Sequence, residues 1–327
     1  MSEGAVWVLV EHEDGKEKSV VHELLSQGRV VADRLGRELQ AVLLGQDLEG
    51  LCERLQGHPD RILWVKDDSL SPYSAGGYVR AIHQLALQRR PLIILGSSSL
   101  RSLDFMPRLA ARLGVGMASE VTGLEVTEGG AVRIRRPIHG GRLYAEMEPG
   151  GPPPHVLAVR PRSFGAMPGE RRAWVEVIPW AIPGEEIRTR QVRKVARPDG
   201  GATDLAEARI VVSGGRGMKG PENFTLLEEL AQLLGAAVGA SRAVVDSKWR
   251  PTGDQVGKSG KTVSPDLYMA FGISGAVHHI MGMDTSKCVV AVNNDPKAPI
   301  FQVADYGVVD DLFQLLPALI EEIKRAK

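Results

Sequence analysis

Pro91-Leu92-Ile93-Ile94-Leu95 is a run of apolar residues with no polar alternation. A strand with one wet face alternates, so an unbroken run fits a strand buried on both faces, as in a parallel sheet. Outward from it, Ala75–Gln88 and Asp104–Leu113 carry helical periods on either side. Further out, Ala5–Val10, Leu39–Leu44 and Arg61–Val65 read as strands and Gln46–Leu55 as a helix. Ser19–Leu35 reads as a longer helix, with Val21, Leu24, Leu25, Val31 and Leu35 on one apolar stripe. Strand and helix alternating at this spacing predict βαβ units over the first ~125 residues.

The rhythm changes after Val126. Ala131–Arg135, Gly141–Glu146, Val156–Arg160 and Ala173–Ile178 favour strands and are expected to complete the first domain. Arg197-Pro198-Asp199-Gly200-Gly201 reads as a linker. Alternation then resumes, with strands at Arg209–Ser213, Ala236–Ser241, Asp266–Ile273 and Cys288–Asn293. Helices are expected at Asn223–Leu234, Gly275–Met281 and Val308–Arg325. The fold class is therefore α/β, with two α/β domains over residues 1–197 and 202–327 and mainly parallel sheets.

A length of 327 residues suits two such domains. Forty Lys and Arg balance forty Asp and Glu. That excludes a general nucleic-acid coat and a polybasic membrane tether, both of which need a sustained positive field. Residues 131–197 nevertheless hold thirteen basic side chains against six acidic ones, which reads as a solvated surface or a docking face. Cys52 and Cys288 are too few for a disulfide framework or a cysteine-rich metal site, so a reducing cytoplasm is the expected setting. No run reaches the ~20 apolar residues that span a bilayer, and no signal peptide is evident at Met1–Asp14.

Glycine and small polar residues concentrate at strand ends of the second domain, where open α/β sheets bind ligands. Gly215-Arg216-Gly217-Met218-Lys219-Gly220 contains G-x-G-x-x-G after a strand, and its N–H groups with Arg216 could meet an anion. Ser241-Arg242 follows the next strand and would place a cation or cap a helix. Gly253–Thr262 contains Gly-Lys-Ser and Gly-Lys-Thr, but a phosphate-binding P-loop needs its first glycine at Thr252 or Gln255. Gly272-Ile273-Ser274-Gly275-Ala276-Val277-His278-His279 ends a strand in unpaired N–H groups suited to a pyrophosphate. Adjacent histidines diverge by about 100° on a helix, and no third ligand stands nearby, so no metal site is expected. His279 is expected to turn inward and His278 outward. Asn293 ends a buried strand with an amide that can donate and accept, and Asp310 and Asp311 are expected in the first turn of the last helix.

Taken in order from Ala208 onward, these stretches resemble the C-terminal domain of the alpha subunit of electron transfer flavoprotein. Gly253–Met283 and Asn293–Asp311 carry the resemblance most densely, and Gly114–Leu124 extends it weakly into the first domain. The resemblance implies a Rossmann-like FAD-binding domain, and a heterodimer with a beta subunit that carries AMP or a second FAD. It implies a redox carrier, reduced by flavin dehydrogenases such as acyl-CoA dehydrogenases and reoxidised by a quinone-linked oxidoreductase. An electron-bifurcating relative, oxidising NADH and also reducing ferredoxin or flavodoxin, is the alternative. Carried over by position, Arg216 and Ser241 would contact FAD, while Arg242, Ser259 and His279 would tune the flavin. Val256, Gly257, Lys258 and Ser259 would line the ring, with the Ser259 hydroxyl near N5. Ser274, Gly275, Ala276, Val277, His278 and His279 would hold the pyrophosphate and ribityl region. Asn293, Asp311 and Leu312 would hold the adenosine end. The loop is usually Val-Gly-Gln-Thr-Gly, so Lys258 and Ser259 depart from the pattern, as does His278, where glutamine is usual.

Overall fold

Strand β1 (Val6–Leu9) is buried at every residue, and the sheet of the first unit grows from both its edges. The computed structural model of the protein describes residues 4–141, 143–180, 189, 191–193 and 204–326. The expected linker Arg197–Gly201 lies outside the described residues. The chain forms two compact units, Met1–Val195 and Ala196–Lys327.

In the first unit a two-stranded hairpin, β2 (His12–Glu13) and β3 (Lys16–Glu17), precedes α1 (Val20–Leu35). Then come β4 (Leu39–Leu44), α2 (Glu49–Arg54), β5 (Arg61–Lys66), α3 (Ala75–Arg89), β6 (Ile93–Ser97) and α4 (Leu100–Leu113). Strands β7 (Met117–Val121), β8 (Gly123–Val126), β9 (Val132–Ile138), β10 (Leu143–Met147), β11 (His155–Val159) and β12 (Trp174–Pro179) follow. Seven strands form one sheet in the order β12-β5-β4-β1-β6-β11-β7, every pairing parallel. Alternate residues face opposite layers. Val6 and Val8 pack with α1 and α2, whereas Trp7 and Leu9 pack with α3 and α4. Ile93, Ile94 and Leu95 are fully buried, and each such side chain contributes about 1.5–3 kcal/mol.

The late strands do not all complete this sheet. β11 and β12 join it, but β8, β9 and β10 form a separate antiparallel sheet. Helix α4 starts earlier than the expected Asp104, because the Ser99 hydroxyl accepts from the Ser102 N–H and caps it a turn upstream. Several cations of the basic stretch are satisfied internally. Arg160 meets Glu120 at 2.8 Å, Arg171 meets Asp60 at 2.7 Å, and Arg135 lies over the Tyr144 ring.

The second unit runs β13 (Ile210–Gly214), α5 (Phe224–Leu234), β14 (Ala237–Ala240), α6 (Arg242–Asp246), β15 (Leu267–Phe271), α7 (Val277–Ile280), β16 (Val289–Asn293), β17 (Tyr306–Val309) and α8 (Leu312–Ala326). Its sheet is parallel throughout, in the order β14-β13-β15-β16-β17. The last helix does not begin at Val308. Tyr306-Gly307-Val308-Val309 pairs with Val290–Asn293 as an edge strand, as β-branched residues favour. Asp310 and Asp311 therefore precede the helix, and the Asp311 carboxylate accepts from the Phe313 N–H at 2.9 Å. Among the described residues no helix is long and apolar enough to cross a membrane.

Candidate functional site

The second unit starts at β13, passes to β14 on one side and returns to β15 on the other. Connections leave in opposite directions there, which opens a crevice at the carboxyl ends of β13 and β15. A cleft of about 550 Å³ occupies that place. Five strand ends and the Gln255–Ser259 loop supply its walls.

Behind β13 lie Gly215, Arg216, Gly217 and Lys219. The expected cradle of N–H groups is mostly spent inside the chain. Gly215 donates to the Phe271 carbonyl at 2.8 Å and Gly217 to the Gly272 carbonyl at 3.1 Å, while Met218, Lys219 and Gly220 close their own turn. A Cβ on Gly215 would sit 2.1 Å from the Gly272 oxygen, so these glycines let two loops abut. What Arg216 and Lys219 offer a guest is side-chain charge, and both are exposed.

Beyond β14, Ser241 and Arg242 line the cleft together with Asp246, four residues on. Arg242 Nε lies 3.3 Å from the Asp246 carboxylate. Ser241 precedes α6 without a side-chain cap bond. The Val256–Ser259 segment is tied down on both sides. Val256 donates to the Ala240 carbonyl at 2.9 Å and Lys258 donates to the His278 carbonyl at 2.8 Å. Val256, Gly257 and Ser259 reach the cleft, whereas the exposed Lys258 does not line it. The Gln255 amide donates to the Ser259 hydroxyl at 3.0 Å and fixes its place.

After β15, Ser274, Ala276, His278 and His279 line the cleft; Gly275 and Val277 do not. Gly275 is buried against the Ile300 backbone and Val277 faces outward. Among the described residues, no acceptor is matched to the backbone N–H groups of Ser274, Gly275, Ala276, Val277 and His278. His278 is exposed and His279 only 6% so. His279 Nε2 lies 2.9 Å from the buried Tyr268 hydroxyl, and Nδ1 has no well-aligned partner. Burial pushes the imidazole down to about 4, opposed by the Val256 carbonyl beside the ring.

At the far end stand Asn293, Asp311 and Leu312. The Asn293 amide already donates to the Ile273 carbonyl and accepts from the Asp295 N–H, both at 2.9 Å, which leaves one N–H and one lone pair for a guest. Thirteen of the sixteen residues singled out in the sequence thus line one cleft, and Lys258, Gly275 and Val277 fall outside it. Sequence reading missed Lys219, Asp246, Gln255 and the supporting Tyr268. Asp246 had a legible signal, four residues after Arg242 on one helical face. Tyr268 had none, being one aromatic within an apolar strand.

The first unit has a switch point too, between β1 and β6, but it is filled. The Glu11 carboxylate accepts from Ser97 at 2.7 Å and from Ser99 at 2.6 Å, at the start of α4. The space left there is about 10 Å³.

Residues 6–183 match the family model described as electron transfer flavoprotein domain, and residues 204–284 match the electron transfer flavoprotein FAD-binding domain. The chain is 41% identical over 325 residues to the electron transfer flavoprotein subunit alpha of Thermoanaerobacterium thermosaccharolyticum, covering 98% of each. It is 38% identical to the subunit alpha of Bacillus subtilis, covering 98% of this chain and 97% of that one. Against the protein FixB of Clostridium saccharobutylicum the identity is 39%, with 98% and 96% covered.

Proposed function

We propose a function from one premise: this chain belongs to the electron transfer flavoprotein alpha-subunit family. Its second unit holds one FAD in the switch-point cleft, and the chain works as an electron carrier paired with a beta subunit. The observation that carries this reading is the cleft itself. It combines the unmatched N–H groups of Ser274, Ala276 and His278 on one wall with Arg216, Lys219 and Arg242 on the others. Unmatched amides and cations suit a pyrophosphate, and a volume of about 550 Å³ is of ligand size.

When bound, FAD supplies the redox chemistry by taking up and releasing electrons at its ring system. The chain supplies binding and electrostatics. Arg242 would leave Asp246 to oppose added negative charge, and Ser259, oriented by Gln255, would offer its hydroxyl to the ring edge. His279 would present a neutral imidazole, Asn293 its spare donor and acceptor, and Asp311 its free carboxylate oxygen to the adenosine end. No nucleophile–base pair is required for a carrier. Exposed apolar side chains on the edge strands β10 and β12, among them Leu143, Tyr144, Trp174 and Val177, are the kind of surface a permanent partner covers. Flavin dehydrogenases such as acyl-CoA dehydrogenases would reduce the carrier, and a quinone-linked oxidoreductase would reoxidise it.

The test is the visible spectrum and flavin count of the chain co-expressed with its beta subunit. A yellow heterodimer with FAD lost on Arg216→Ala or Ser274→Pro supports the reading, and a colourless one overturns it. An anaerobic NADH titration then separates the simple carrier, which stays oxidised, from the bifurcating relative.

A further inference from the structure

Tyr268 is the second residue of β15, fully buried, and is not part of the cleft wall. Its hydroxyl nevertheless reaches His279 Nε2 at 2.9 Å, with the two rings edge to face. Behind the phenol sits Ser213, on the same face of the adjacent strand β13, where Val211 pairs with Tyr268 and Ser213 with Ala270. The Ser213 hydroxyl is completely buried, has no well-aligned hydrogen-bond partner, and lies close enough to the phenol to act on it. Three polar side chains thus form a line from the sheet interior to the cleft.

The line has only two consistent proton arrangements. Tyr268 can donate to Nε2, which leaves the ring proton on Nδ1. In the reverse order Nε2–H donates to Tyr268, and the bare Nδ1 lone pair is left to face an acceptor. The Val256 carbonyl lies beside the ring and favours an N–H there, so the reverse order sets lone pair against lone pair. We propose that Tyr268 is a positioning residue for this site: its hydroxyl donates to His279 Nε2 and locks the ring as the neutral, Nδ1-protonated tautomer. His279 then meets its guest as an oriented, uncharged ring whose Nε2 is already taken. The tautomer follows from these contacts alone; only its consequence for the cofactor rests on the flavin reading above.

The experiment is long-range proton–nitrogen correlation on the full heterodimer labelled with ¹⁵N-histidine. The chain has eight histidines, and the His279 signals are those lost in His279→Gln. The expected pattern is a pyrrole-type Nδ1 and an acceptor-type Nε2. Tyr268→Phe removes only the hydroxyl, and should move the proton population onto Nε2. It should also weaken FAD binding about tenfold by flavin fluorescence and shift the visible bands. An Nε2-protonated ring in the parent protein, or an unchanged pattern in Tyr268→Phe, overturns the proposal. Should Tyr268→Phe fail to fold, the parent pattern still decides the tautomer, and Ser213→Ala decides whether the line extends to β13. A parent heterodimer with the Nδ1–H pattern but no bound FAD would remove the flavin reading and leave the positioning role intact.

Discussion

A Cβ built on Gly215 would meet the Gly272 carbonyl at 2.1 Å, whereas one built on Gly235 meets nothing within 4 Å. Both positions hold glycine, for different reasons. Gly235 has φ +63° and closes α5, so Gly235→Ala should cost about 1 kcal/mol, the strain of a left-handed alanine. Gly215→Ala forces two loops apart and should cost about 3 kcal/mol with loss of cofactor binding. Denaturant midpoints of the two variants check the contrast. The glycine clusters were plain in the sequence, but their use was not. Spacing cannot tell a glycine that admits a ligand from one that admits another loop, because the second partner lies more than fifty residues away. His279 has a pH signature of its own. Its folded form stays neutral down to about pH 4, while the unfolded chain takes up a proton near 6.5. Its contribution is intact above 6.5 and falls as pH drops towards 4, by on the order of 3 kcal/mol. His279→Gln should flatten the stability profile across that window; an unchanged slope would place the titration elsewhere. Arg242→Ala should lower the flavin potential, and Asp246→Asn, which frees the guanidinium, should raise it, both read by anaerobic potentiometry.

At the scale of elements, α8 shows how a cap and a cleft wall share one side chain. Asp311 holds the Phe313 N–H at 2.9 Å and also borders the cleft. Asp311→Ala should cost about 1 kcal/mol and weaken FAD binding, whereas Asp311→Asn should keep most of the cap, as thermal melts of the two would show. The core helices and central strands were legible because their apolar period is local: the reading of Leu39–Leu44 coincides with β4. The boundary at Val308 was not, since Val308-Val309 suits a strand or a helix until β16 is seen beside it. Nor could the sequence say that β11 and β12 join the large sheet while β9 and β10 stand apart. Those memberships are decided by pairing across separations such as Trp174 with Arg61. Pattern describes a strand's faces, not its neighbours.

On the scale of the whole chain, FAD should protect one unit and not the other. Hydrogen exchange on the heterodimer with and without FAD should slow the amides of Gly272–His279 and Val256–Ser259, and leave β1, β4 and β6 unchanged. Protection spread evenly over both units would count against a guest confined to the cleft. The Glu11 carboxylate, seated among the hydroxyls of Ser97 and Ser99, gives that measurement a companion in stoichiometry. The same doubly wound plan occurs twice in this chain, yet one copy arrives with its vacancy already taken by a built-in anion. Among the described residues that switch point therefore leaves no room for a dinucleotide. A second flavin counted in the heterodimer should then lie outside this switch point, and the inventory of pigment becomes a test of what beta carries.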